Sequence, residues 1–217
     1  MNDELKRQAA LAALEEIRDG MIVGLGSGST ASIFIRELGK TGLQVLAIPT
    51  SEKSGSIAAE VGIQLTTFKE HPRIDVTIDG ADEVSPQLDL TKGLGGALVR
   101  EKIVAHASKR VVIIVDESKI VERLGTKTVI PVEVIPLAVP LVLLQLNNSH
   151  VREKNGQTFI TDNGNVILDW KPGPIDEPAV LEKQLKAMTG VVDSGIFAAV
   201  ANLVIVAGST GVRKMGK

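Results

Sequence analysis

MIVGLGSGSTASIFIRELGKTGLQVLAIPT, residues 21–50, decides how the rest of the chain is read. The short apolar run at 21–25 predicts a strand, Gly26-Ser27-Gly28-Ser29-Thr30 turns into a helical stretch ending near Gly39, and 43–48 predicts a second strand. That is one βαβ unit. Downstream, a helix over 52–60, strands at 63–66 and 74–78, a helix across 97–107 and a strand at 111–115 continue the alternation. An open, mostly parallel Rossmann-like α/β sheet is therefore expected. From about residue 130 the order becomes β-α-β-β-α-β, with two strands flanking the Asp162-Asn-Gly-Asn turn and a helix over 177–188, which predicts a smaller α+β ferredoxin-like domain. The strand at 203–207 and the tail are expected back in the larger domain. The expected division is a larger α/β domain of residues 1–129 and 204–217 and a small domain of residues 130–203.

Composition agrees with such a chain. Its 217 residues are 44% hydrophobic and 23% charged, which suits a compact core, while 2% aromatic content leaves Val, Ile, Leu and Ala to fill it. The same scarcity argues against nucleic-acid stacking platforms, and a net charge of −2 with dispersed basic residues gives no polyanion footprint. With no cysteine, thiolate nucleophiles, thiolate metal sites and disulfides are all excluded. The N-terminal MNDELKRQAALAALEEIRDG reads as an amphipathic helix without the apolar core of a signal peptide, and no run approaches ~18 apolar residues. A cytoplasmic protein that does not engage a membrane is expected.

Three glycine-rich or acidic segments hold the candidate chemistry. GLGSGSTA at 24–31 leaves a strand and opens a helix, where backbone N–H groups, the helix dipole and hydroxyls favour an anion. It also satisfies G-x-G-x-x-A, but Glu52 lies past Pro49-Thr50-Ser51, beyond the strand tip where a ribose-binding carboxylate belongs, so a nucleotide is disfavoured. IDGADE at 78–83 ends a strand, where an open parallel sheet forms its ligand crevice, although a plain turn with a helix cap is the competing reading of Asp79 and Asp82. Lys92 precedes glycines that allow close backbone approach to a ligand, and Glu101 falls about one turn into the next helix. The competing readings are a solvated surface lysine for Lys92 and a plain exposed helix glutamate for Glu101. His71, His106 and His150 lack metal-ligand spacing, and Ser209 has no histidine after it to complete a hydrolase triad. Neither a metal nor any other cofactor is expected.

GLGSGSTA, IDGADE, LTKGLGGALVREK at 90–102, VDESK at 115–119, IPVEVIP at 130–136 and TDNGNVILD at 161–169 occur in one order. Together they resemble the type A family of ribose-5-phosphate isomerases along essentially the whole chain. The resemblance implies a cofactor-free aldose–ketose isomerase of the non-oxidative pentose phosphate pathway, with a phosphorylated pentose as substrate. Glu101 would move a proton between C1 and C2 through an enediolate, and Asp79, Asp82 and Lys92 would line the reacting end of the sugar. Ser27, Gly28, Ser29 and Thr30, the turns Asp79-Gly80-Ala81-Asp82 and Lys92-Gly93-Leu94-Gly95, and Lys119 would complete the site. It also implies a homodimer or homotetramer. One departure stands out: the family loop usually carries glycine where this chain has Leu94. The alternative from another class is a non-catalytic sugar-phosphate sensor on a similar scaffold.

Overall fold

The computed structural model describes residues 2–216. In chain order the first elements are α1 (Asn2–Ala13), β1 (Ile22–Leu25), α2 (Ser29–Leu38), β2 (Leu46–Pro49), α3 (Glu52–Glu60), β3 (Gln64–Leu65), β4 (Ile74–Asp79), β5 (Glu83–Val84), β6 (Leu90–Thr91), α4 (Leu98–His106) and β7 (Ser108–Asp116). There follow β8 (Ile130–Val134), α5 (Val139–Gln145), β9 (Ser149–Val151), β10 (Glu153–Lys154), β11 (Gln157–Thr158), β12 (Val166–Trp170), α6 (Pro178–Ala187), β13 (Val191–Ser194), β14 (Ile196–Phe197), β15 (Leu203–Gly208) and β16 (Gly211–Gly216).

The chain divides into two compact units. The first takes the residues up to Ala81, Arg100–Lys119 and those from Val200 onward. Its seven-stranded sheet has the order β16-β15-β7-β4-β1-β2-β3, and every pairing is parallel except β15 with β16. Both faces are covered, which explains the unbroken apolar runs. Val23, Leu25, Val76, Ile78, Val112, Ile114, Ile205 and Ala207 pack with Ala9, Ala10 and Ala13 of α1 and Phe34, Ile35 and Leu38 of α2, whereas Ile48 and Ile74 pack with Val104 of α4. The chain winds from β1 outward through β2 to β3, then returns across β1 to β4 and continues to β7 and β15. The reversal between β1 and β4 is the topological switch point at which open α/β sheets hold their ligands. The tail, expected only to return to this sheet, forms β16 and closes it with an antiparallel edge strand.

The second unit comprises Asp82–Val99 and Ile120–Ala199. Its main sheet has the antiparallel order β13-β8-β12-β9, the ferredoxin-like arrangement that β-α-β-β-α-β connectivity produces. Ile130, Val132, Val134 and Leu168 turn one face toward Val142 and Leu146 of α5 and Leu185 of α6. The opposite-facing Glu133 and Asp169 carry polar work. A small sheet, β14-β6-β5, and the β10–β11 hairpin complete the unit. The expected cut at residue 130 falls inside this unit, because residues 82–99 pair as β5 and β6 with β14 and Ile120 bridges Val84. Before the Asp162 turn, a single bridge between Ile160 and Val166 stands where a full strand was expected; β9 takes that place beside β12. Among the described residues no helix is long and apolar enough to cross a membrane.

Asp75 at the start of β4 ties three strands together. Its carboxylate accepts the Ile22 N–H at 2.9 Å and the Lys109 ammonium at 2.7 Å, and the lysine, then the Ile22 N–H, hold its pKa below the usual carboxylate value against the opposing effect of burial. A lowered folded pKa stabilises the fold above the unfolded pKa, and this stability is lost as pH falls through the folded value. Asp75→Asn is expected to cost about 0.5–1.5 kcal/mol near neutral pH, with the gap from the parent chain closing in the acid range, as thermal melts at a series of pH values would show.

Candidate active site

In the first unit the site begins where β1 and β4 release the chain side by side. Gly26 N–H donates to the Ile78 carbonyl at 2.9 Å, and Ser27 N–H donates to Asp79 Oδ1 at 3.0 Å. The same carboxylate oxygen accepts the Gly80 N–H at 2.7 Å. Gly26 is glycine for a steric reason: an added Cβ would overlap the Asp79 carboxylate and lie 2.5 Å from Asp79 Cα, so moving a side chain would not relieve the clash. Gly28 has φ +101° and precedes α2, whose first-turn N–H groups, at Ser29 and Thr30, have no intrahelical acceptor. The Ser27 hydroxyl is fixed by Thr50 Oγ1 at 2.8 Å and Ser51 Oγ at 2.7 Å. Ser51 also caps α3, and the Ser54 hydroxyl donates to the Gly26 carbonyl at 2.7 Å. A hydroxyl-rich loop at the helix N-terminus results.

Two further groups of this unit follow α4 and β7. Glu101 lies in the first turn of α4 and is only 4% exposed, a burial unusual for glutamate outside a functional or paired setting. Its neighbour Lys102 is also buried. At the end of β7, Asp116 Oδ1 accepts the Ser118 N–H at 3.0 Å and shapes the short helical turn that carries half-buried Lys119.

The second unit holds the remaining sequence candidates. Asp82 N–H donates to the Thr91 carbonyl at 2.8 Å, placing Asp82 beside the end of β6, and its Oδ2 accepts the Leu94 N–H at 3.0 Å. Lys92 is 3% exposed; its N–H donates to the Gly195 carbonyl at 2.8 Å and its ammonium lies 5.6 Å from the centre of the Phe197 ring. The loop beyond it turns through Gly93, φ +99°, and Gly96, φ +86°, where a Cβ would run into the Phe159 ring. Leu94 is not among the residues with positive φ and its side chain is 43% exposed, so a side chain is accommodated there without backbone strain. The turn acid next to Asp82 has a different task. Glu83 is wholly buried and accepts the N–H groups of Gly125, Lys127 and Thr128, fastening the 125–128 segment to β5.

Thus Ser27, Asp79 and Gly80 meet within the first unit, and Asp82, Lys92, Gly93 and Leu94 within the second. Sequence reasoning did not single out Thr50, Ser51 and Ser54 around Ser27, or Arg152 and Asp169 beneath the Lys92 loop. The recurrent serines at 51 and 54 and the acid interrupting the apolar run VILDW were the available signals. Among the described residues no cluster of three or more His, Asp or Glu side chains could hold a metal ion.

The model for ribose 5-phosphate isomerase A (phosphoriboisomerase A) matches residues 46–211. A relative from Gloeobacter violaceus named ribose-5-phosphate isomerase A is 49% identical, covering 97% of this chain and 95% of its own length. The chain belongs to the ribose 5-phosphate isomerase A family. A second member, from Methanothermobacter thermautotrophicus, is 48% identical with 96% of each chain covered. A solved D-ribose-5-phosphate isomerase in complex with phospho-erythronic acid superposes with a TM-score of 0.98 at 38% identity over the whole of both chains. The Methanocaldococcus jannaschii ribose 5-phosphate isomerase A gives 0.95 at 41%, again over both complete chains. The family model begins at residue 46, while the relatives named above match 96% or more of the chain. The sensor alternative finds no support among them.

Gly26→Ala is expected to destabilise the fold by about 1–3 kcal/mol or more, because the added carbon overpacks against a backbone atom that cannot move aside. Circular dichroism melts and soluble yield would check this, with Gly28→Ala as a comparison in open space but at a positive φ.

Proposed function

We propose that the protein interconverts D-ribose 5-phosphate and D-ribulose 5-phosphate through a cis-enediolate, with no metal or other cofactor. The observation that carries this reading is the match along 97% of the chain to a relative named as this isomerase. Buried Asp79, Lys92 and Glu101 supply residue types suited to the chemistry. The Glu101 carboxylate takes the proton from C2 of the open-chain aldose and returns it to C1, while a second proton passes from the C2 oxygen to the C1 oxygen. Lys92, with loop N–H groups, stabilises the oxyanion that develops between these steps, where loss of one donor typically costs about 10²–10³-fold. One of Asp79 and Asp82 moves the anomeric proton during ring opening. Ser27, Gly28, Ser29 and Thr30 bind the substrate from the α2 N-terminus, with Gly80, Ala81, Gly93, Leu94, Gly95 and Lys119 completing the pocket. Phospho-erythronic acid in the solved relative fits this reading, since a carboxylate presents two oxygens on one carbon much as an enediolate presents two on adjacent carbons.

The reading places the protein in the cytoplasm, in the non-oxidative pentose phosphate pathway, as a homodimer or homotetramer that binds neither nucleic acid nor membrane. Support for self-association comes from Ile135, Leu137, Leu141 and Leu144, which are exposed together on the turn before α5 and on α5 itself, Leu137 at 93%. A contiguous apolar face of this kind typically marks an interface. A Leu137→Glu, Leu144→Glu variant is expected to sediment as a smaller species than the parent chain; unchanged sedimentation would remove this face from the assembly.

Proton NMR of the metal-stripped protein with D-ribose 5-phosphate in D₂O tests the activity itself. Ribulose 5-phosphate formation with deuterium entering at the exchangeable carbon is expected, and neither signal despite binding would overturn the reading. Glu101→Gln should lower turnover by about 10²–10⁴-fold with substrate binding largely retained. Near-normal turnover would remove Glu101 as the base.

A further inference from the structure

We infer that Arg152, held by Asp169, is a positioning residue for the isomerisation: it fixes two consecutive peptide units of the Lys92 loop so that lysine and loop N–H groups are set before substrate arrives. The inference rests on the proposed function for its kinetic meaning, and on the second unit alone for its geometry.

Arg152 is pinned at both ends of its own backbone. Its N–H donates to the Ile167 carbonyl at 2.8 Å, and its carbonyl accepts the Phe159 N–H at 2.9 Å. The guanidinium is almost buried, with 11% of the side chain exposed, and forms a two-toothed pair with Asp169: Nε lies 2.8 Å from Oδ2 and Nη2 bonds Oδ1. Planar paired donors facing a carboxylate leave the guanidinium little freedom to rotate. Its remaining nitrogen, Nη1, donates to the Gly93 carbonyl at 2.8 Å and the Leu94 carbonyl at 3.1 Å. The Phe159 ring, whose centre lies 5.9 Å from the guanidinium carbon, also fills the space a Cβ at Gly96 would need.

A trans peptide holds its C=O and N–H in opposite directions. The Gly93 carbonyl and the Leu94 N–H belong to one peptide unit; Arg152 takes the first, and the Asp82 carboxylate takes the second at 3.0 Å. That plane is therefore gripped from both sides by opposite charges. In the next unit Arg152 takes the Leu94 carbonyl, which turns the Gly95 N–H away from the guanidinium. Gly93, at φ +99°, would otherwise let the loop swing, since glycine crosses between conformational regions at little cost. Lys92 leaves β6 immediately before this fixed segment, so its N–H is held by the Gly195 carbonyl on one side and the chain that follows it is held by the clamp on the other. A lysine at position 152 offers a point charge without the fork and cannot hold Asp169 and two carbonyls together.

Arg152→Lys and Asp169→Asn are to be compared with the parent chain by steady-state kinetics on D-ribose 5-phosphate and by hydrogen–deuterium exchange of the peptide spanning 90–97. The expected result for both variants is a kcat lowered about 10–100-fold, as misplacement of positioned groups by an ångström produces, with KM changed much less. Exchange in the loop peptide should rise about 10-fold or more, while β8 and α6 peptides keep their parent rates. Parent-like kcat with faster loop exchange would overturn the positioning role, and unchanged loop exchange would overturn the clamp whatever the kinetics. Inactivity of the parent chain would count against the proposed function, and the exchange result would still decide the clamp. Where Arg152→Lys does not fold, Asp169→Asn keeps the arginine and the shape of its partner and gives the same two readouts.

Discussion

A single carboxylate oxygen, Asp79 Oδ1, accepts the N–H groups of Ser27 and Gly80 at the point where the sheet changes direction. Much of the first unit is arranged around that interaction. The carboxylate needs room, so position 26 has no side chain. Because the loop after β1 must come close to the end of β4, it leaves the sheet through Gly28 at positive φ and enters α2 directly. The hydroxyls of Ser27, Thr50, Ser51 and Ser54 then satisfy one another and the Gly26 carbonyl, so polar groups at the end of an apolar sheet are paired.

The second unit solves a similar problem with charge instead of hydroxyls. One face of its antiparallel sheet is apolar and packs against α5 and α6, while the other carries Glu133 and Asp169. Glu133 Oε1 gathers Thr161, Asn163 and Asn165, and Asp169 secures Arg152. The loops over this face are consequently tied down by hydrogen bonds to carboxyl groups of low exposure.

The parallel sheet was legible in the sequence because strands buried on both faces must be continuously apolar, as VVIIV at 111–115 and LVIVA at 203–207 are. The glycine-rich turns were legible for the same kind of reason, since few other residues tolerate their backbone. The two-residue strands β5, β6 and β14 were not, because no periodicity can be detected over two residues. Nor does a sequence show where a carboxylate points. Asp79, Asp82 and Glu83 stand within one hexapeptide, yet Asp79 faces the Ser27 loop, Asp82 the Lys92 loop, and Glu83 only backbone N–H groups of residues 125–128. Arg152 is equally silent as a sequence: HVREK resembles any exposed basic stretch, and its meaning comes entirely from the carbonyls it reaches.

The reversed strand at the end of the chain bears on how copies of the protein can meet. An open sheet normally ends in a row of unsatisfied backbone groups that invites another sheet to continue it. Here the last strand is largely exposed and carries Arg213 and Lys214, with the Lys214 ammonium 2.9 Å from Glu15. A neighbouring sheet docking at this edge would have to strip water from those charges and break that pair. Growth into fibres along this edge of the sheet is thereby discouraged.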